Sequence, residues 1–98
     1  MTNIIKITSA SLTKLKNLNL MHNKIHEIKG LNQIKSLEVL NLSRNLISEV
    51  KDLDKFPNLR YIELSLNNIK DIKSYDKYKK NLVIELYGNP FVNYYLPL

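Results

Sequence analysis

Leu15-Lys16-Asn17-Leu18-Asn19-Leu20-Met21-His22-Asn23-Lys24-Ile25 returns position for position as Leu37-Glu38-Val39-Leu40-Asn41-Leu42-Ser43-Arg44-Asn45-Leu46-Ile47. It returns again as Leu59-Arg60-Tyr61-Ile62-Glu63-Leu64-Ser65-Leu66-Asn67-Asn68-Ile69, a step of 22 residues each time. A shorter fourth copy follows, Ile84-Glu85-Leu86-Tyr87-Gly88-Asn89-Pro90-Phe91. The remainder of the unit keeps the same step, with Ile28, Val50 and Ile72, then Leu31, Leu53 and Tyr75, then Ile34, Phe56 and Tyr78. A unit this short cannot bury its apolar face alone, so such a period predicts stacked copies sharing one core.

Within the unit the spacing changes from two to about three. Asn17-Leu18-Asn19-Leu20-Met21 alternates, which predicts a short strand with Leu18 and Leu20 inward and Asn17, Asn19 and Met21 outward. Beyond it, Ile25, Ile28, Leu31, Ile34 and Leu37 suit a return path of turns and short 3₁₀ pieces. Each unit then makes one turn of a right-handed coil and lays its strand parallel to the last, about 4.8 Å away. Asn23, Asn45, Asn67 and Asn89 fall where the strand turns a corner and backbone groups lose ladder partners. An amide offers two donors and an acceptor there, which predicts an asparagine ladder linking the repeats.

The spacing L-x-x-L-x-L-x-x-N-x-I over residues 12–91 resembles the leucine-rich repeat, in the 22-residue class that includes the leucine-rich-repeat regulatory subunit of protein phosphatase 1. The resemblance implies an α/β solenoid with a short parallel sheet on the concave side and turns and 3₁₀ segments on the convex side. It implies a single domain over 1–98: a partial N-terminal repeat at 1–14, repeats at 15–36, 37–58 and 59–80, and a last repeat with a truncated C-terminal cap at 81–98. Gly88-Asn89-Pro90-Phe91 and Tyr94-Tyr95-Leu96-Pro97-Leu98 look like the start of that cap. The family shares a scaffold, so function must come from the exposed residues.

Two ends depart from the pattern. Asn81 occupies the leucine column of Leu15, Leu37 and Leu59, with Leu82 beside it, so the last strand is expected to run straighter and longer. At the start, Ile4, Ile5 and Ile7 are candidates for an improvised cap. Without that cover the strand around Leu18 and Leu20 is an open sheet edge, a route to self-association with another chain.

The chain has 98 residues, 44% apolar and 24% charged, with no cysteine, so one packed core must hold it without disulfides. No apolar run approaches the roughly 20 residues of a membrane span. Met1-Thr2-Asn3-Ile4-Ile5-Lys6 meets charge too soon for a signal-peptide core, and the expected setting is intracellular, cytoplasmic or nuclear. Fifteen basic residues against nine acidic give a net charge of +6, which raises nucleic acid as a partner. The columns argue against it. Lys29, Lys51 and Lys73 lie beside Glu27, Glu49 and Asp71, and Lys16, Glu38 and Arg60 alternate in sign, leaving Lys77, Lys79 and Lys80 as the local cluster. With no aromatic-interleaved basic groove on the sheet, nucleic acid is disfavoured.

Two glycines and no cysteine leave no phosphate-cradling loop or thiol nucleophile, and no catalytic constellation, cofactor site or metal set is expected. His22-x-x-x-His26-Glu27 has metal-ligand spacing only on a helix, whereas Asn23 and Ile25 are locked inward by the repeat.

The outward positions are Asn17-Asn19-Met21, Val39-Asn41-Ser43, Tyr61-Glu63-Ser65 and Val83-Glu85-Tyr87. Val39, Tyr61 and Val83 form a half-apolar column, and Glu63 sits beside Glu85 on a basic chain. Strand propensity alone would favour Val and Tyr there. A protein-binding face explains the acidic pair as well: Tyr61 central, Val39 and Val83 beside it, Glu63 and Glu85 as the acidic margin, and Met21, Arg44 and Tyr87 further out. The expected function is a non-enzymatic protein-binding module, a regulatory or adaptor subunit. The alternative is a basic accessory protein contacting RNA or an acidic surface through its Lys-rich convex side.

Overall fold

Each run of alternating leucines becomes a strand of three residues: β1 Asn17–Asn19, β2 Val39–Asn41, β3 Tyr61–Glu63 and β4 Val83–Glu85. The computed structural model describes residues 14–71, 75–78 and 81–90. The strands form one parallel sheet in the order β1-β2-β3-β4. Its register keeps the repeat period, with Leu18 against Leu40, Leu40 against Ile62 and Ile62 against Ile84.

The ladder is carried by equivalent atoms in successive repeats. The Leu20 N–H donates to the Asn41 carbonyl, Leu42 to Glu63 and Leu64 to Glu85, each at 2.8 Å. β4 is no longer than the other strands, contrary to the expectation from its alternating Leu82, Ile84 and Leu86. Pairing needs a partner, and β3 offers one over only three residues.

The return segments differ slightly among themselves. Lys29–Leu31 and Leu53–Lys55 are 3₁₀ turns, while the third repeat uses a single α-helical turn, α1 (Tyr75–Tyr78). All three deliver a buried side chain to one column, Ile34, Phe56 and Tyr78. Inside, Leu37, Leu40, Leu42, Ile47, Ile62, Leu64 and Ile69 have essentially no exposure. Burying one such side chain contributes about 1.5–3 kcal/mol, against about 0–1 kcal/mol for a surface ion pair. The stacked apolar columns therefore dominate stability. Leu15, Leu18 and Leu20 are only half-buried against this core.

A second periodic feature ends each strand. His22, Arg44 and Leu66 hold φ of 59°, 57° and 60°, and Gly88 holds 77°. The chain turns the corner through a left-handed residue directly before each ladder asparagine. Three of the four carry a Cβ there, at a cost of roughly 1–2 kcal/mol per residue.

The expected cap residues Ile4, Ile5 and Ile7, the columns' Ile72 and Lys73, the cluster's Lys79 and Lys80, and the cap segment from Phe91 to Leu98 lie outside the described residues.

Candidate protein-binding face

Two polar columns run across the strands, one behind the sheet's end and one on its outer face. In the first, the Asn45 Oδ1 accepts from the Ile25 N–H at 3.0 Å, and its Nδ2 donates to the carbonyls of Leu20 and Leu42, both at 3.0 Å. Asn67 makes the same set one repeat on, accepting from Ile47 and donating to Leu42 and Leu64. Asn89 follows, accepting from Ile69 and donating to Leu64 and Leu86. Each of these three amides thus joins its own repeat to the preceding one. Asn23 is half-buried and, among the described residues, bonds the carbonyls of Leu20 and Met21. Among the described residues no buried side-chain nitrogen or oxygen lacks a partner.

The face column, Asn19, Asn41, Glu63 and Glu85, reads as solvent-facing in the sequence, yet most of it is tied down. Asn19, Asn41 and Glu63 each accept, through a side-chain oxygen, the N–H two residues later, from Met21, Ser43 and Ser65 at 3.0 Å. Ser43 also donates its hydroxyl to Asn41 Oδ1 at 2.9 Å. Ser43 is buried rather than part of the outward row. Asn at the first position of an Asx turn is a signal the sequence carries at 19 and 41; a Glu doing the same work at 63 has no such signature.

Beside this column, Val39, Tyr61 and Val83 are register partners across β2, β3 and β4. Val39 and Tyr61 are half-exposed and Val83 is 54% exposed. Glu63 and Glu85 are likewise register partners. The Tyr61 hydroxyl donates to Glu63 Oε2 at 3.4 Å. Its pKa is raised, first by burial and then by the charges of Glu63 and Glu85 and the bond to Glu63. Met21 and Tyr87 lie just past the strand ends, Met21 43% and Tyr87 77% exposed, and Arg44 is exposed on its left-handed residue. The strand geometry thus brings Val39, Tyr61, Glu63, Val83 and Glu85 together and leaves Met21, Arg44 and Tyr87 at the end of the sheet.

The return side carries charge in pairs. Lys51 Nζ lies 3.2 Å from Glu49 Oε1, and the bond and charge of Glu49 raise the lysine's pKa. Arg60 pairs with Glu38 at 3.3 Å across adjacent repeats, and Lys77 stacks 5.1 Å from the centre of the Tyr78 ring. A shallow cleft on this side is lined by His26, Glu27, Ile28, Leu46, Ser48, Glu49 and Lys51, with His22 elsewhere. Among the described residues no group of three or more His, Cys, Asp or Glu could hold a metal, and no helix is long and apolar enough to cross a membrane.

The sequence matches the family model for leucine rich repeats (2 copies) twice, over residues 13–55 and 35–77, which together run across about two thirds of the chain. No curated protein matches it significantly. With one short parallel strand per matched repeat, the chain belongs to the leucine-rich repeat family, whose domains typically act as non-enzymatic protein-interaction modules.

Proposed function

We propose that the chain is a non-enzymatic module that binds a protein partner on the outer face of its sheet, as a regulatory or adaptor subunit. We take the repeats at 15–36, 37–58, 59–80 and 81–98 as one domain, coiled right-handed as parallel crossovers almost always are, with the sheet on its concave side. The observation that carries the reading is the in-register column Val39, Tyr61 and Val83, apolar and left partly open on the sheet. Around it stand Met21, Arg44, Glu63, Glu85 and Tyr87. A phosphatase-regulator-like role rests on the 22-residue spacing alone, and the intracellular setting on a cysteine-free composition. Nucleic acid ranks lower because Lys51, at the centre of the return-side lysine column, is paired with Glu49.

The test is affinity capture of a partner, repeated with purified components. Tyr61→Ala should weaken the complex by about 2 kcal/mol, roughly 30-fold in Kd, as truncating a central aromatic anchor does. Changing Lys29, Lys51 and Lys73 to Ser should leave it unaffected. A complex lost in the lysine variant and kept in Tyr61→Ala would put the binding surface on the other side of the solenoid.

A further inference from the structure

We propose that the sheet face takes a short extended segment of another protein in which a basic side chain, best an arginine, adjoins an apolar one. The inference rests on the protein-binding reading and adds the partner's chemistry. The cation sits at Glu63 and Glu85, and the apolar residue lies on the column of Val39, Tyr61 and Val83.

Charge comes first. Glu63 and Glu85 are register partners on neighbouring strands, so their backbones are about 4.8 Å apart. Among the described residues neither takes part in an ion pair, while Glu49 and Glu38 do. Like charges so placed repel, and a chain of net +6 that keeps them together on its sheet has a complementary spot for a cation. Glu85 is also the member of its column that breaks the habit of the others. Asn19, Asn41 and Glu63 each cap an N–H two residues on, and among the described residues the exposed Glu85 carboxylate makes no such bond. Its oxygens are open to a ligand.

Shape decides the kind of cation and the kind of partner. A guanidinium is planar, presents parallel N–H groups that suit paired carboxylates, and stacks on aromatic faces. Tyr61, its hydroxyl donated to Glu63, supplies such a ring next to the acidic pair. Among the described residues the sheet face is small. Three residues of strand span about 10 Å and four strands about 15–19 Å, roughly 150–190 Å² in projection. A stable globular interface needs about 800 Å² from each side. Even allowing for corrugation, this face fits a few residues of extended chain better than the flat side of a second domain.

Selection of a displayed random octapeptide library on the full-length protein tests the inference. The enriched peptides should carry Arg or Lys next to Val, Leu or an aromatic residue. Affinity of a winning peptide, followed by fluorescence anisotropy, should fall at least about ten-fold in the Glu63→Gln/Glu85→Gln double variant, and the loss should shrink as salt rises. Glutamine at 63 keeps a carbonyl oxygen for the Ser65 N–H, and an unchanged urea midpoint verifies the fold. Glu63→Lys/Glu85→Lys should redirect the enrichment to acidic peptides. Winners that lack a basic residue yet lose affinity in Tyr61→Ala overturn the cation and leave the binding face standing. Winners indifferent to Tyr61 and to both glutamates overturn the face as well. An empty selection, or a dimer of this chain abolished by the double Gln variant in sedimentation, overturns the short segment in favour of a larger partner or a second copy.

Discussion

The column of Asn23, Asn45, Asn67 and Asn89 and the column of Asn19, Asn41, Glu63 and Glu85 share a period and start four residues apart, yet only the first is one residue throughout. The difference lies in what each side chain must satisfy. Behind the sheet, a buried N–H and two carbonyls from different repeats converge on one point, as at Asn67. Only a neutral amide donates and accepts there without burying a charge. On the face, a single acceptor for one N–H suffices, and amide or carboxylate can supply it. Loose chemistry at a fixed position leaves room for variation, and the acidic pair has arisen in that room.

The largest effect should come from the strict column. Asn45→Ala strands the buried Ile25 N–H and takes one bond from each of the Leu20 and Leu42 carbonyls, which keep those from Asn23 and Asn67, and should cost about 2–3 kcal/mol. Asn23→Ala removes, among the described residues, bonds to the carbonyls of Leu20 and Met21 in its own repeat, where Leu20 keeps its bond from Asn45, and should cost less than about 1 kcal/mol. Urea melts of the pair give the contrast directly. Equal losses would mean that bonding between repeats is not what distinguishes the inner amides.

The left-handed column sharpens the same contrast. At Gly88 an added Cβ would lie 2.6 Å from Leu66 Cδ2, and the residue already holds a positive φ. Gly88→Ala should destabilise by about 1–2 kcal/mol. Arg44→Gly relieves a residue at φ 57° while adding freedom to the unfolded chain, and should range from neutral to about 1 kcal/mol stabilising. If Arg44→Gly is as damaging as Gly88→Ala, the arginine side chain itself, not the backbone, holds that corner.

On the face the effects should be smaller still. Asn41→Ala loses the bonds to the Ser43 N–H and hydroxyl and should cost about 1 kcal/mol. Glu85→Ala should stay within about 0.5 kcal/mol of the native protein, because its carboxylate is exposed and it stands next to a like charge. A large loss at Glu85 would give that residue a structural role and remove it from the binding face.

How much of this can be seen in the residues depends on whether a position constrains side-chain type. Leu40, Ile62 and Ile84 announce an inner column because burial admits only apolar side chains, and the parallel sheet follows from their step. The left-handed turn is silent, since His22, Arg44 and Leu66 look like any exposed residues and only Gly88 hints at positive φ. The tie between Ser43 and Asn41 is silent for a related reason: it is a local side-chain bond two residues back along the chain, which a period-two pattern does not see. The alternation of Leu82, Ile84 and Leu86 overstates the length of β4, because alternation marks which way side chains point, whereas strand length needs a partner. The positions on the face follow from the period; what they bind does not.

The smallest effect is a pH dependence at Tyr61. Burial and the charges of Glu63 and Glu85 raise its pKa above the ordinary value near 10, so the folded chain holds the phenolic proton more tightly than the unfolded chain does. Below about pH 10 both states are protonated and the stability associated with Tyr61 is intact. As pH rises further the unfolded phenol ionises first, so that stability declines until the folded phenol ionises too. Lysines and other tyrosines titrate in the same range, so the informative quantity is a difference. The urea midpoint of Tyr61→Phe, relative to the native protein, should improve progressively above pH 10 and stay level below it. Glu63→Gln should bring the Tyr61 titration, read by ultraviolet difference absorbance against Tyr61→Phe, back towards its usual value, since it removes one charge and exchanges a carboxylate acceptor for a neutral one. Parallel stability profiles for Tyr61→Phe and the native protein across pH 9–12 would show that the phenol does not feel the acidic pair, and the cation site proposed there would lose its aromatic wall.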